Sequence, residues 1–261
     1  MRLFWYSLIY SLLVGCASPD NTTIHEQENE YIGIQNGQLV FNSGITKQSK
    51  VELFKAFQSA SVIPNRLLVS SKGGDIEQAL EIGRWIHHHK LDVEVTKFCF
   101  SSCANYIFPA GVNKFLRKDS ILLWHGSAWQ QSWRIPDTAI NMSEQDIRKL
   151  FTNLRTEESL FFDEIGVDNL LTVYGQHIDS LIDHFWRMIG RGSIGFDYSL
   201  NDLERLGLTN IRLIDGDWNW RDSNTDKSHL IKRVKLDDNF QFERLRFDKN
   251  DAESIPLILK N

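Results

Sequence analysis

Cysteine is scarce in this chain, with three among 261 residues. Beyond Cys16 only Cys99 and Cys103 are left, too few thiols for a structural zinc site when no His stands at ligand spacing beside them. A disulfide between the two and a pair of small buried thiols both stay open, because Cα separation decides and spacing does not supply it. A phosphate loop and a dinucleotide fingerprint are also lacking, as is any internal repeat. There is no basic excess: 29 Lys and Arg stand against 34 Asp and Glu, and a net charge of −5 argues against a nucleic-acid partner. What is present is a hydrophobic content of 42% with 8 Trp, enough for a well-buried core. His87, His88 and His89 invite a metal reading, but successive helical residues point about 100° apart and one ion does not gather all three. His177 and His184 are two helical turns apart, without enough further ligands to name a site. No metal or organic cofactor is implied.

The N-terminus carries its own signal. Arg2 supplies a positive start, and Leu3 to Val14 is apolar apart from Ser7 and Ser11. That run falls short of the roughly 20 residues a bilayer span needs and has the length of a signal-peptide core. Leu13-Val14-Gly15-Cys16 resembles the lipobox of bacterial lipoproteins, which implies removal of residues 1–15 and lipid on Cys16. Ala17 stands where an inner-membrane retention signal would place Asp, so the resemblance favours the outer membrane, facing the periplasm. Residues 16–30 are polar and read as a tether.

Downstream, Tyr31 to Phe41 holds two β-prone runs about Asn36-Gly37, a hairpin signal. Lys47 to Ala60 places Val51, Leu53, Phe54 and Phe57 at helical spacing. Arg66 to Ser70 suits a central strand. A break at Ser71-Lys72-Gly73-Gly74 follows, and a helix opens at Asp75 with Ile76, Ala79, Leu80, Gly83 and Ile86 on one face. Asp92 to Lys97 alternates as a strand, Cys99 to Ser102 reads as a turn, and Cys103 to Phe108 as a short helix stopped by Pro109-Ala110-Gly111. Ile121 to His125 is another buried strand. This rhythm predicts an α/β domain with right-handed crossovers. From Ser143 the pattern turns helical, with Ser143 and Asp146 as a capping box. Further helical stretches cover Asp168 to Leu171, Ser180 to Ile189 and Tyr198 to Gly207, and Asn210 to Ile214 closes as a strand. Residues 31–220 thus form one domain, and 221–261 a charged peripheral extension.

Three pieces belong together: Ser71-Lys72-Gly73-Gly74-Asp75, Cys99-Phe100-Ser101-Ser102-Cys103-Ala104, and Trp124-His125-Gly126. In order and spacing they resemble the Clp protease/crotonase superfamily, and most closely its periplasmic Clp-like members with a Cys-x-Ser-x-Cys element. The resemblance spans about Val40 to Ile214. It implies a repeated β-β-α core with added helices, and a serine hydrolase, peptidase-like, acting on a peptide or related acyl bond. Gly73 and Gly74 let the backbone approach a ligand closely and, with the helix start at Asp75, form half of an oxyanion hole. In the Clp protease subunit the nucleophile lies nine residues before the Gly of a helix-ending Ala-Gly, so counting back from Gly111 the resemblance implies Ser102, with Cys103 giving the second N–H. Anchoring on Cys-x-Ser-x-Cys selects Ser101 instead. Ser102 is the favoured reading. His125 matches the general base, and Asp197, ahead of Gly207-Leu208, is the candidate orienting acid.

Lys72 replaces the Pro usual before the paired Gly, which leaves that loop less fixed in φ. The helices between Ser143 and Ile189 replace the segment that carries oligomer contacts, so a homo-oligomer stays open. No ATPase partner is expected outside the cytoplasm. Two rivals remain: a non-catalytic scaffold that binds and does not turn over, and crotonase-like chemistry on a CoA thioester, disfavoured by location.

Overall fold

The computed structural model describes residues 30–130, 133–134, 143–178, 192–246 and 257–258. The expected leader, Cys16, and the helical stretch Ser180 to Ile189 with His184 lie outside the described residues.

The chain opens with the hairpin that Asn36-Gly37 predicts. β1 (Tyr31–Gln35) and β2 (Gln38–Asn42) pair antiparallel, with φ of 52° at Asn36 and 75° at Gly37. Positive φ at both central residues matches the turn to the twist of the strands. Helix α1 (Lys47–Gln58) follows, capped by Thr46, whose hydroxyl accepts from Ser49 N–H. β3 (Arg66–Ser71), α2 (Ile76–His88) and β4 (Asp92–Phe100) then form consecutive β-α-β crossovers. Asp75 caps α2, accepting from Gln78 N–H at 3.0 Å. The face of Ala79, Leu80, Gly83 and Ile86 is buried as its periodicity predicts.

The next helix, α3, is unusual. It runs as a π-helical turn over Cys103–Ile107 and continues as α-helix over Phe108–Ala110. β5 (Lys114–Arg117) and β6 (Ile121–Leu123) come after it, then a short strand β7 (Trp133–Arg134) and the long helix α4 (Glu144–Ile165), capped by Ser143. A 3-10 turn (Asn169–Thr172), α5 (Tyr174–His177), β8 (Gly195–Tyr198), α6 (Leu200–Arg205) and β9 (Ile211–Ile214) complete the expected domain.

These elements make a mixed α/β architecture around a seven-stranded sheet of order β1-β2-β3-β4-β5-β9, with β6 also paired to β4. All neighbours except β1 and β2 run parallel. β4 is long enough to serve two partners. Val93 to Val95 pair with β5, and Phe98 to Phe100 with β6.

Two expectations need correction. Cys99-Phe100 is strand rather than turn, because β6 supplies hydrogen-bond partners to the end of β4. The described part of the extension expected over 221–261 is not peripheral. α7 (Trp220–Ser223), α8 (Thr225–Ser228) and β10 (Ile231–Val234) pack on the domain, β10 pairs with β8, and Trp220, Ile231, Val234 and Leu236 are buried. A last strand, β11 (Leu257–Ile258), pairs with β7. Among the described residues no helix is long and apolar enough to cross a membrane.

Helix α2 meets α3 and α4 at Gly83, where an added Cβ would lie 2.6 Å from Tyr106 O and 2.9 Å from the Phe161 ring. Gly83→Ala is therefore expected to cost about 1–3 kcal/mol through overpacking. A Tm lowered by several degrees in thermal unfolding would show it.

Candidate functional site

The three sequence pieces converge at the carboxyl ends of β3, β4 and β6, the edge of a parallel sheet where α/β proteins place their ligands. After Ser71 the chain turns through Gly73 and Gly74 at φ of 87° and 151°. Neither position admits a side chain. A Cβ on Gly73 would lie 2.6 Å from Phe100 O and 2.9 Å from Ser102 N, and one on Gly74 would lie 2.2 Å from Ile45 O. The glycine turn is thus wedged between the loop before α1 and the Ser101-Ser102 peptide. Gly73 N–H donates to Ser71 Oγ at 3.1 Å, while Gly74 faces solvent.

At the end of β4, Ser101 takes φ of 55°, a left-handed conformation uncommon outside glycine. Its N–H donates to Leu123 O at 2.9 Å, and its carbonyl accepts Asn105 N–H at 2.8 Å. Ser101 therefore closes the sheet and starts the helix in one step, half-buried at a sharp strand-to-helix bend. Ser102 has a different environment. It is 2% exposed, and its hydroxyl donates to Gly74 O at 2.8 Å. The residue favoured as nucleophile has its proton committed to pinning the glycine turn.

The count that favoured Ser102 assumes an α-helix between the nucleophile and Gly111. The π-helical turn Cys103–Ile107 holds one more residue per turn, so a count along a regular helix does not choose between Ser101 and Ser102. The alternatives for the cysteines are decided: Cys99 and Cys103 are joined by a disulfide, with Cα atoms 5.2 Å apart. It ties the end of β4 to the first turn of α3, bracketing Ser101. Closing so short a loop removes roughly 2 kcal/mol of unfolded-chain entropy.

His125 follows β6, two residues beyond the Phe100–Leu123 register pair. Trp124 is fixed by an antiparallel bridge to Phe196, with bonds of 2.9 and 2.8 Å. His125 itself reaches solvent, yet surrounding protein desolvates the ring and lowers its pKa, opposed by contact with its own carbonyl. The ring is therefore neutral at pH 7 and able to accept a proton. Two side chains clamp the turn behind it. Gln176 Nε2 donates to His125 O at 2.7 Å, and Asn105 Nδ2 donates to Gly126 O at 2.8 Å.

Asp197 is not placed to orient His125. It is fully buried, and both carboxylate oxygens are taken by guanidinium groups. Arg221 donates at 2.6 and 3.3 Å, and Arg233 at 2.8 and 2.9 Å. The carboxylate locks α7 and β10 onto β8. Among the described residues no carboxylate is hydrogen-bonded to the His125 ring. Asp197→Ala is expected to cost on the order of 3 kcal/mol by stranding two arginines, read as a lower denaturation midpoint.

Glu158, which no sequence pattern marks, connects the two halves of the site. It is completely buried on α4. Tyr106 Oη donates to its Oε2 at 3.0 Å, and Ala128 N–H to the same oxygen at 3.0 Å. One carboxyl group thereby joins the helix that follows Ser101 to the loop that follows His125. Burial pushes its pKa up to about 7, against the opposing pull of Ser127, Tyr106, Ala128 N–H and Arg155. The same burial, reinforced by Glu158, raises the Tyr106 phenol well above its ordinary value. Among the described residues no three His, Cys, Asp or Glu side chains gather as a metal site. His88 instead bonds Glu164 at 2.7 Å.

A carboxyl pKa raised from 4.5 to about 7 makes the folded state hold its proton more tightly than the unfolded chain. Its contribution is complete below pH 4.5 and is lost as pH rises through about 7, a difference of roughly 3 kcal/mol. Glu158→Gln keeps an acceptor and cannot ionise. Urea unfolding at pH 5 and pH 8 should show the wild type weaker at the higher pH and the variant nearly level.

No protein-family model matches the sequence, and no curated relative matches it. Solved structures do. A ClpP1 mutant from Listeria monocytogenes is similar at 17% identity and a TM-score of 0.42, over 68% of this chain and 90% of that one. The ClpP protease catalytic domain from Plasmodium falciparum is similar at 15% identity and a TM-score of 0.40, over 68% and 84%. A peptidase from Plasmodium falciparum is similar at 10% identity and a TM-score of 0.45, over 69% and 96%.

Proposed function

We propose that this chain is a serine hydrolase of the cell envelope, tethered by lipid on Cys16 and cleaving a peptide or related acyl bond. The observation that carries the reading is Ser101. A non-glycine residue held at φ of 55° on a strand-to-helix bend is strained, and such a bend presents a serine hydroxyl above the sheet edge. The bend stands beside the glycine turn and one register step from the strand that leads to His125, which supports the reading.

The chemistry follows from those placements. Ser101 Oγ attacks the carbonyl carbon as His125 takes its proton. The carbonyl oxygen gains the negative charge and lies between two backbone donors, Gly74 N–H and Ser102 N–H. These are the open side of the glycine turn and the residue after the nucleophile. Collapse expels the leaving group, which receives the proton from His125 and leaves an acyl ester on Ser101. Water, deprotonated by His125, then releases the acid and restores the hydroxyl. Ser102 and Cys103 hold the frame: the Ser102 hydroxyl ties the glycine turn to α3, and Cys103 is the disulfide partner.

The second reading is a binding scaffold without turnover. The commitment of Asp197 to two arginines and of Gly73 N–H to Ser71 favours it.

A fluorophosphonate probe with intact-mass analysis, on the protein starting after Cys16, separates the two. The expected result is one adduct, lost in Ser101→Ala and slowed at least 100-fold in His125→Ala. In Ser102→Ala the adduct is retained, with stability lowered by about 1 kcal/mol. Because desolvation lowers the His125 pKa, the labelling rate should rise with pH to a plateau with its midpoint below 6.5. A folded protein that never labels would favour the scaffold.

A further inference from the structure

We propose that Gln176 is the positioning residue of this site, its side-chain amide taking the place of the carboxylate that would otherwise orient His125. The proposal rests on the serine-hydrolase reading above and assigns the role that Asp197 is not free to fill.

Gln176 lies in α5, directly behind the His125-Gly126 peptide. Its Nε2 donates to His125 O at 2.7 Å, and the same nitrogen would lie 2.9 Å from a Cβ built on Gly126. The glycine of Trp124-His125-Gly126, at φ of 132°, is what lets the amide come so close. The other end of the amide is unspent. Gln176 Oε1 is buried and accepts no hydrogen bond among the described residues. A buried amide oxygen left without a donor is unfavourable, so a working site supplies one.

Among the described residues, the His125 ring stands on the residue that Gln176 already holds and is the donor assigned here. Its ring contacts the residue's own carbonyl, the oxygen on which Gln176 Nε2 also lands. A planar amide holds its oxygen about 2.3 Å from its nitrogen, so Oε1 stays within roughly 5 Å of that carbonyl. A rotation of the ring about χ1 and χ2 exchanges the weak contact with its own carbonyl for a bond from Nδ1–H to Oε1. Catalytic hydrogen bonds commonly tighten in this way only when substrate is bound.

An amide differs from a carboxylate in two respects. It can present an NH2 group, and a donor facing Nδ1 would fix the wrong tautomer. Here that error is blocked, because Nε2 is held by His125 O and only the oxygen is left for the ring. The amide is also neutral, so it orients the imidazole without raising its basicity. The lowered His125 pKa, caused first by desolvation, agrees with a ring that bonds no carboxylate among the described residues.

The test combines 15N-resolved NMR of the histidine rings with fluorophosphonate labelling, on wild type, Gln176→Met and Gln176→Glu. Met keeps the length and packing while removing both polar groups. The expected wild-type signal is a neutral His125 held as the Nδ1–H tautomer. Gln176→Met should give mixed tautomers and labelling slowed about 10- to 100-fold, with the Tm lowered by no more than the loss of one hydrogen bond. Gln176→Glu should raise the His125 titration midpoint and carry the labelling profile upward with it, which a merely structural role would not do. Unchanged tautomer, midpoint and rate in both variants would overturn the proposal. If wild type does not label yet the tautomer shifts in Gln176→Met, the hydrolase reading falls and the positioning of His125 by Gln176 stands.

Discussion

The fold of the site depends on one backbone contact, the passage of Gly73 against the end of β4. An added Cβ there would meet Phe100 O, Ser101 Cβ and Ser102 N, all within 2.9 Å. That spacing leaves room only for hydrogen at position 73, and it brings two chain segments together without side chains between them. The Ser102 hydroxyl bonds Gly74 O, the Gly73 carbonyl receives Ile45 N–H, and Asp75 caps α2 within the same turn. A shift of the glycine turn would therefore disturb the start of two helices and the bend at Ser101 together. Rigid support of this kind is what a pre-organised oxyanion site requires, since donors that must move during the reaction give back much of their benefit.

A second level of order comes from the way β4 divides its edge between β5 and β6. The division gives the last three residues of the strand a separate partner, and that partner delivers Trp124 and His125. Asn105 then joins α3 to Gly126, Glu158 joins Tyr106 to Ala128, and Gln176 holds the His125 carbonyl ahead of both. Three polar side chains from α3, α4 and α5 thus converge on the five residues after β6. Buried polar networks are costly unless their members are paired, which focuses attention on the few atoms here that are not.

Elements whose signal is local were legible in the sequence. Asn36-Gly37 fixes the hairpin because its two residues accept positive φ, and the face of α2 follows from apolar spacing alone. Ser143 and Asp75 cap their helices as their side-chain chemistry predicts. Less legible were β5 and β8, four residues each, which carry the charged Lys114, Arg117 and Asp197. Lys114 is buried all the same, with Nζ donating to Gly111 O and Thr209 O. The helix expected from Tyr198 begins later because Tyr198 ends β8 and Ser199 is the cap. Ser101 and Ser102 are separated by a backbone dihedral, which has no composition. Glu158 and Gln176 carried no signal, since their partners lie far away along the chain.

The disulfide also makes the site a record of how the chain was folded. Cys99 and Cys103 have no exposure once α3 is docked, and exchange requires an accessible thiolate. The bond must therefore close while the strand end and the first helical turn are still open to an oxidant. A chain that packed first would keep two sealed thiols beside Ser101 and an untied bend. Two populations with one sequence and one overall fold would then differ in the tightness of their most important turn. The order of oxidation and packing would be written into the site itself.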